Sequence, residues 1–316
     1  MVEWRQYRQN IKKEFQDLGF GAKVSSESKF RLLNKDGSFN VKRDGLSFFK
    51  SMTLYHFMIR VSWINFYMIA LGSYLLLNLL FALGYMFLTP HALAGFGSTE
   101  ISSSFLNAFF FSVQAFTTVG FGQITPVGVA ANILFTLESF VGLLGFAMAT
   151  GFMFARFSRP HAQIAFSENA IVAPYNEGGA LMFRIANERA SQLVELSAKV
   201  IFTCVEDGER NFYDLNLERN KVTFFPLNWT LVHPINEQSP LAKRSKEDLE
   251  NGDAEILILL TGFDETFSQT VHTRTSYKYH EIKWGAKFSN IFGVNDEGKI
   301  TIDMKGLNDY EEREFE

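Results

Sequence analysis

The sequence predicts a membrane α-helical region, with two spanning helices and a re-entrant helix and loop between them, followed by a C-terminal β-sandwich. Three observations carry this fold class. Between Arg60 and Arg156 there is no Lys or Arg, and only two carboxylates, Glu100 and Glu138. That apolar region is broken at "TTVGFG" (117–122), where two glycines and two threonines in six residues would interrupt any spanning helix. Beyond Pro160 the texture changes to short alternating apolar and polar runs separated by turn signals.

The 316 residues suffice for about two domains. Charge is unevenly placed: residues 1–60 carry 12 basic and 6 acidic groups, and residues 156–316 carry 18 basic and 26 acidic ones. The single cysteine, Cys204, excludes an intramolecular disulfide and a CxxC redox or metal motif, and the six histidines lack metal-ligand spacing. No nucleophile and base set, nucleotide loop or metal cluster is legible, so the sequence argues against an enzyme.

In chain order, residues 1–43 form a basic N-terminal arm. Its opening, "MVEWRQYRQNIKKEFQ", reads as a short amphipathic helix and lacks the apolar stretch of a secretory signal. Residues 44–59 mix Phe48, Phe49, Leu54, Phe57 and Met58 with Lys50 and His56, which suits a helix lying in the membrane interface; an ordinary first turn of the spanning helix is the competing reading. Residues 60–88 form the outer spanning helix, uncharged from 61 to 88, and its Asn65 and Asn78 are expected to hydrogen-bond to neighbouring helices. Residues 89–126 contain "SSSFLNAFFFSVQAF" (102–116), which is too short to span and therefore reads as a re-entrant half-helix before the hexapeptide. Residues 127–157 form the inner spanning helix, and 158–316 the sandwich, with strands such as "ALMFRIAN", "SAKVIFTCVE", "KVTFFPLNWTLV" and "EILILLTGF". Cys204 has the inward parity of its strand and is expected in the core. Basic residues flank the two spans on their outer sides, Lys42, Arg43, Lys50 and Arg60 before the first and Arg156 and Arg159 after the second, which places both termini in the cytoplasm.

Non-helical backbone at membrane depth is tolerated where it lines an aqueous path or is buried in protein. A strand whose carbonyls all face one axis needs alternating left- and right-handed backbone, which Gly120 and Gly122 make accessible. The carbonyls of Thr118, Val119, Gly120 and Phe121, with the Thr118 hydroxyl, would then supply stacked oxygens able to replace the hydration shell of K+. Val119 and Phe121 would pack outward as a cuff. One chain gives one strand of such a lining, so a closed pore requires a symmetric oligomer, most simply a homotetramer.

The pattern T-V-G-F-G between a short helix and an inner helix resembles the filter of potassium channels. The resemblance extends to the inward-rectifier potassium channel family, especially its bacterial members. "FFFSVQAFTTVGFG" looks like the family's pore, "LESFVGLLGFAMATGFMFARFSRP" like its inner helix, "SENAIV" and "TSYKYHEIKWGAKF" like its immunoglobulin-like cytoplasmic β-sandwich, and "RLLNKDGSFNVKR" like its N-terminal strand.

The resemblance implies passive K+ conduction through a tetramer in the bacterial inner membrane, with three identical subunits and anionic lipids as partners, no nucleic acid, and no cofactor beyond the transported K+. It implies a selectivity filter of Thr118, Val119, Gly120, Phe121 and Gly122, with Gln114, Thr117 and Glu138 in support. Phe146 and Thr150 would line the pore, Phe154 would form the gate of the inner-helix crossing, and a cytoplasmic loop at 269–273, ending at Thr273, a second constriction. Lys50, Arg60, Arg156 and Arg159 would meet lipid head groups, although the topology rule alone also explains them.

The sequence departs from the family at Phe146 and at Gln114 with Gln123. Phe146 stands where strongly rectifying members carry an acidic residue, so block by polyamines or Mg2+ held by charge is not expected. Gln114 and Gln123 replace the charged residues that brace the filter in relatives. Glu138 either faces the cavity or is hydrogen-bonded behind the pore helix. A separate reading, a membrane-tethered oligomeric sensor with a ligand-binding sandwich, leaves the glycine and threonine break unexplained.

Overall fold

The computed structural model describes residues 31–41, 54–88, 92–95, 101–158, 163–176, 178–188, 193–225 and 227–313, with no side chain described at 101–104. Two compact units emerge, one of residues 44–159 and one combining 1–43 with 160–316.

The first unit is built on helices. Helix α1 (Leu54–Arg60) ends at a break, and Ser62 caps α2 (Trp63–Leu88) by accepting the Asn65 amide on its hydroxyl at 3.2 Å. At 26 residues α2 is about 39 Å long, and α4 (Gly128–Phe157), at 30 residues, about 45 Å; both exceed the roughly 30 Å of a hydrocarbon core. Between them α3 (Ile101–Phe116) reaches only about 24 Å with 16 residues and cannot span. Strands β1 (Leu93–Ala94) and β2 (Thr125–Pro126) pair antiparallel and close the segment that contains α3 at its two ends. Ala82, Tyr85, Leu93, Ala108, Phe111 and Ala115 form the buried core of the unit. Alanines at three of these six places let the helix backbones approach closely.

The second unit is a sandwich of two five-stranded sheets. Its strands are β3 (Ile164–Phe166), β4 (Ala170–Tyr175), β5 (Gly178–Asn187), β6 (Leu193–Glu206), β7 (Glu209–Asp214), β8 (Lys221–Phe225) and β9 (Asn228–Ile235). Then come α5 (Lys246–Asn251), β10 (Glu255–Asp264), β11 (Gln269–Lys278) and β12 (Ile282–Trp284). One sheet runs β11-β10-β6-β7, with β8 also on β6; the other runs β12-β4-β5-β3, with β9 on β5. Leu181, Phe183 and Ile185 from one sheet meet Val200, Phe202 and Cys204 from the other in the core, as their alternation predicts. Two short ribbons follow from β13 (Ala286–Phe288), β14 (Phe292–Val294), β15 (Ile300–Ile302) and β16 (Tyr310–Glu312): β13 pairs β16, and β14 pairs β15.

Two sequence expectations are corrected here. "KVTFFPLNWTLV" is two strands in different sheets, since the chain crosses the sandwich between Phe225 and Asn228. Of "RLLNKDGSFNVKR", the described residues 31–41 form a turn with a single bridge, Leu33 to Phe39, in place of a strand, and Lys42 and Arg43 lie outside the described residues. Leu32 and Leu33 cover the outer face of the sheet at Phe212 and Leu257, which accounts for the consecutive buried residues Glu255 to Ile258 at the start of β10. Glu255, fully buried, accepts the Leu32 and Leu33 amides at 3.0 and 3.2 Å, while Ser276, Thr275 and Arg274 each donate to carbonyls of the segment.

Candidate functional site

The hexapeptide leaves the C-terminal end of α3, where the helix carbonyls are still partly occupied. The Thr117, Thr118 and Val119 amides donate to Val113, Ala115 and Gln114 at 3.1, 3.1 and 3.0 Å. Beyond them Thr118, Gly120 and Gly122 have φ of +59°, +50° and +81°, whereas the intervening Val119 and Phe121 do not enter the left-handed region. This alternation turns successive carbonyls to one side of the strand. A Cβ at Gly120 or Gly122 would meet nothing within 4 Å, so what these glycines provide is the dihedral, not space. Thr118 shows what a side chain costs there, about 1–2 kcal/mol for a residue in the left-handed region. Val119 and Phe121 are 56% and 75% exposed on the single chain, leaving both side chains free to meet further copies.

The helix dipole of α3 adds partial negative charge at its C-terminal end, next to these carbonyls. Thr117 donates its hydroxyl back to the Val113 carbonyl at 2.7 Å, fastening the last turn. Gly142 of α4 lies against that end, and a Cβ there would stand 2.3 Å from the Phe116 carbonyl oxygen. Close approach of the inner helix to the pore-helix terminus therefore requires glycine at 142.

Behind α3, Glu138 is fully buried between the three helices and does not face an open cavity. Tyr85 of α2 donates to its Oε2 at 2.6 Å, Ser112 of α3 contacts its Oε1, and Ser112 also reaches Asn78 Oδ1 at 3.1 Å. Asn78 makes the interhelical bond expected of it; Asn65 is exposed on the single chain. Sequence reasoning missed Tyr85 and Ser112, whose only signal is polarity inside apolar helices.

Gln114 contributes its backbone carbonyl to the Val119 amide, and among the described residues no hydrogen bond joins its side chain to that of the exposed Gln123. Phe146, Thr150 and Phe154 follow one another at four-residue spacing on α4 and are all exposed, Phe146 at 74% and Phe154 at 72%. Thr150 donates to the Phe146 carbonyl at 2.9 Å, which satisfies its hydroxyl within the helix.

Arg156 corrects the sequence reading. Its two terminal nitrogens donate to the Met58 and Val61 carbonyls at 2.6 and 2.8 Å, and its guanidinium lies 4.5 Å over Trp63 and 4.9 Å over Phe66. It fastens the corner between α1 and α2 to the end of α4 instead of reaching toward head groups. Arg60 is exposed; Lys50 and Arg159 lie outside the described residues. Thr273 is a second correction, because 269–273 belongs to β11 and not to a loop. Thr273 sits half-buried in a full ladder opposite Leu260, and the hairpin turn falls at 265–268.

Residues 164–314 match the family model described as inward rectifier potassium channel C-terminal domain, and residues 73–159 match the ion channel model. The chain is 38% identical over 282 residues to the inward rectifier potassium channel Kirbac3.1 of Paramagnetospirillum magnetotacticum, covering 87% of this chain and 93% of that one. It is 30% identical over 224 residues to G protein-activated inward rectifier potassium channel 4 of Mus musculus, covering 66% of this chain and 53% of the relative. A similar likeness, 30% over 226 residues, holds for G protein-activated inward rectifier potassium channel 2 of Rattus norvegicus, with 66% and 52% covered. The chain thus spans about half the length of these two mammalian relatives.

Proposed function

The chain belongs to the inward rectifier potassium channel family, as a bacterial-type membrane channel and not an enzyme, and on that premise we propose that four copies conduct K+ through a filter at 118–122. The observation that carries the reading is the left-handed backbone at Thr118, Gly120 and Gly122 directly after a helix too short to span. Four such strands around an axis would present rings of carbonyls from Thr118, Val119, Gly120 and Phe121, each replacing water around a dehydrated K+. Gln114, Thr117 and Glu138 support the filter from α3 and α4, and Val119 and Phe121 meet the adjoining subunits.

Below the filter, Phe146 and Thr150 line the inner helix. Phe154 is its constriction, where four phenyl groups close the path by size and by dewetting. A phenyl ring at 146 offers no charge to hold a cationic blocker, so rectification by that route is weak. The exposed Arg60, with Lys50 and Arg159, meets anionic lipid on the cytoplasmic side, where both termini lie, and the membrane is the bacterial inner membrane. The competing reading as a tethered binding protein loses its footing, because the relatives are channels. Liposome flux tests the proposal: Rb+ enters much faster than Na+, and equal fluxes of the two would sink it.

A further inference from the structure

Glu138 raises a question that filter support leaves unanswered, namely which atoms in its cluster carry protons. Asn78 settles one end. Its Nδ2 donates to the Tyr74 carbonyl at 2.7 Å, so the atom it turns toward Ser112 is the acceptor Oδ1. The Ser112 hydroxyl then stands between two acceptors, Asn78 Oδ1 and Glu138 Oε1, while Tyr85 gives its own proton to Oε2. Three contacts require three protons. Two hydroxyls supply two, and among the described residues no other donor reaches these atoms.

An ionised Glu138 therefore leaves one contact with lone pair facing lone pair, in a cluster where Asn78, Ser112 and Glu138 are fully buried. It would also lack a counter-charge. Among the described residues of this unit the Lys and Arg side chains are Arg60 and Arg156; Arg156 is engaged with Met58 and Val61, about 27 Å away along α4.

We propose that Glu138 is a neutral carboxylic acid, donating from Oε1 to Ser112, which in turn donates to Asn78, while Tyr85 donates to Oε2. The chain of donors Glu138, Ser112, Asn78 then runs in one direction with every contact satisfied, and it ties α2, α3 and α4 together behind the filter. Glu138 acts as a positioning residue and brings no fixed negative charge near the ion path. The inference rests on the channel reading for its consequence, but not for the proton count.

Infrared difference spectra of the full chain against Glu138→Gln read the state directly. Loss of a protonated-carboxyl C=O band in the variant supports the proposal, and loss of a carboxylate band overturns it. Reconstituted E138A, which leaves both hydroxyls without their carboxyl partner, is expected to lose Rb+ flux by about tenfold or more, and E138Q, offering N–H to Ser112 and C=O to Tyr85, to restore it to within about twofold of wild type. E138Q as impaired as E138A, in assembly or in flux, overturns the assignment. A wild-type chain without selective flux unseats the channel reading instead, and the infrared comparison still decides the protonation state.

Discussion

At the scale of single residues, the filter and its surroundings depend on backbone approach and dihedral more than on side-chain chemistry. Gly120 needs only its positive φ, so Gly120→Ala costs about 1–2 kcal/mol locally; the expected outcome is an assembled oligomer that has lost Rb+ flux, checked by size analysis and liposome uptake. Gly142→Ala is different in kind. Its new methyl would meet the Phe116 carbonyl at 2.3 Å, and the inner helix must move away from the pore helix at a cost of about 1–3 kcal/mol, read as a lowered melting temperature together with lost flux. In the other unit His233 is buried, with Nδ1 on the Asn216 carbonyl at 2.7 Å and Nε2 on the Ser239 hydroxyl at 2.8 Å. Burial lowers its pKa below 6.5, outweighing the Asn216 bond. With a depressed folded pKa the unfolded chain binds the proton first, so stability is full above about pH 6.5 and falls below it; hydrogen exchange in β9 is expected to quicken there in wild type and to lose that dependence in His233→Gln.

At the scale of elements, side chains far apart in sequence decide where segments sit. The turn at 31–40 is held by Glu255, which carries two buried amide bonds and has Lys278 at 3.7 Å; Arg31 and Lys35 both pair with Glu281. Glu255→Ala strands the Leu32 and Leu33 amides, at a cost of about 1–3 kcal/mol each. Exchange at 31–40 should then approach that of a free segment, whereas unchanged protection would show that Arg274, Thr275 and Ser276 suffice. Arg156 plays the corresponding part for α1. Lysine cannot bond two carbonyls in a fork while stacking on Trp63, so Arg156→Lys is expected to loosen the α1 to α2 corner, visible as faster exchange across Met58 to Val61.

At the scale of the whole molecule, the single chain exposes apolar side chains along both long helices, including Leu76 at 56%, Phe140 at 59% and Leu143 at 63%. Such surface requires lipid or further copies of the chain to cover it. Four copies are expected by native mass measurement in detergent, and Phe121→Ala, which removes a 75% exposed ring at the proposed subunit contact, should weaken that assembly without unfolding the sandwich.

What the sequence determined by itself was chemistry that is local along the chain. An uncharged run longer than a bilayer is thick must span, and a glycine pair at alternate positions permits a backbone few other residues adopt; alternating apolar residues put Cys204 in a core. Only the tertiary structure decided the partners. The sequence leaves Glu138 two readings, between which Tyr85, Ser112 and Asn78 decide by meeting around it, and in place of the lipid contact expected of it Arg156 donates to the Met58 and Val61 carbonyls. The same holds for the chain's crossing between sheets after Phe225 and for the docking of Leu32 and Leu33. Each depends on residues tens to hundreds of positions apart, and no periodicity or spacing in a single sequence encodes which of them meet.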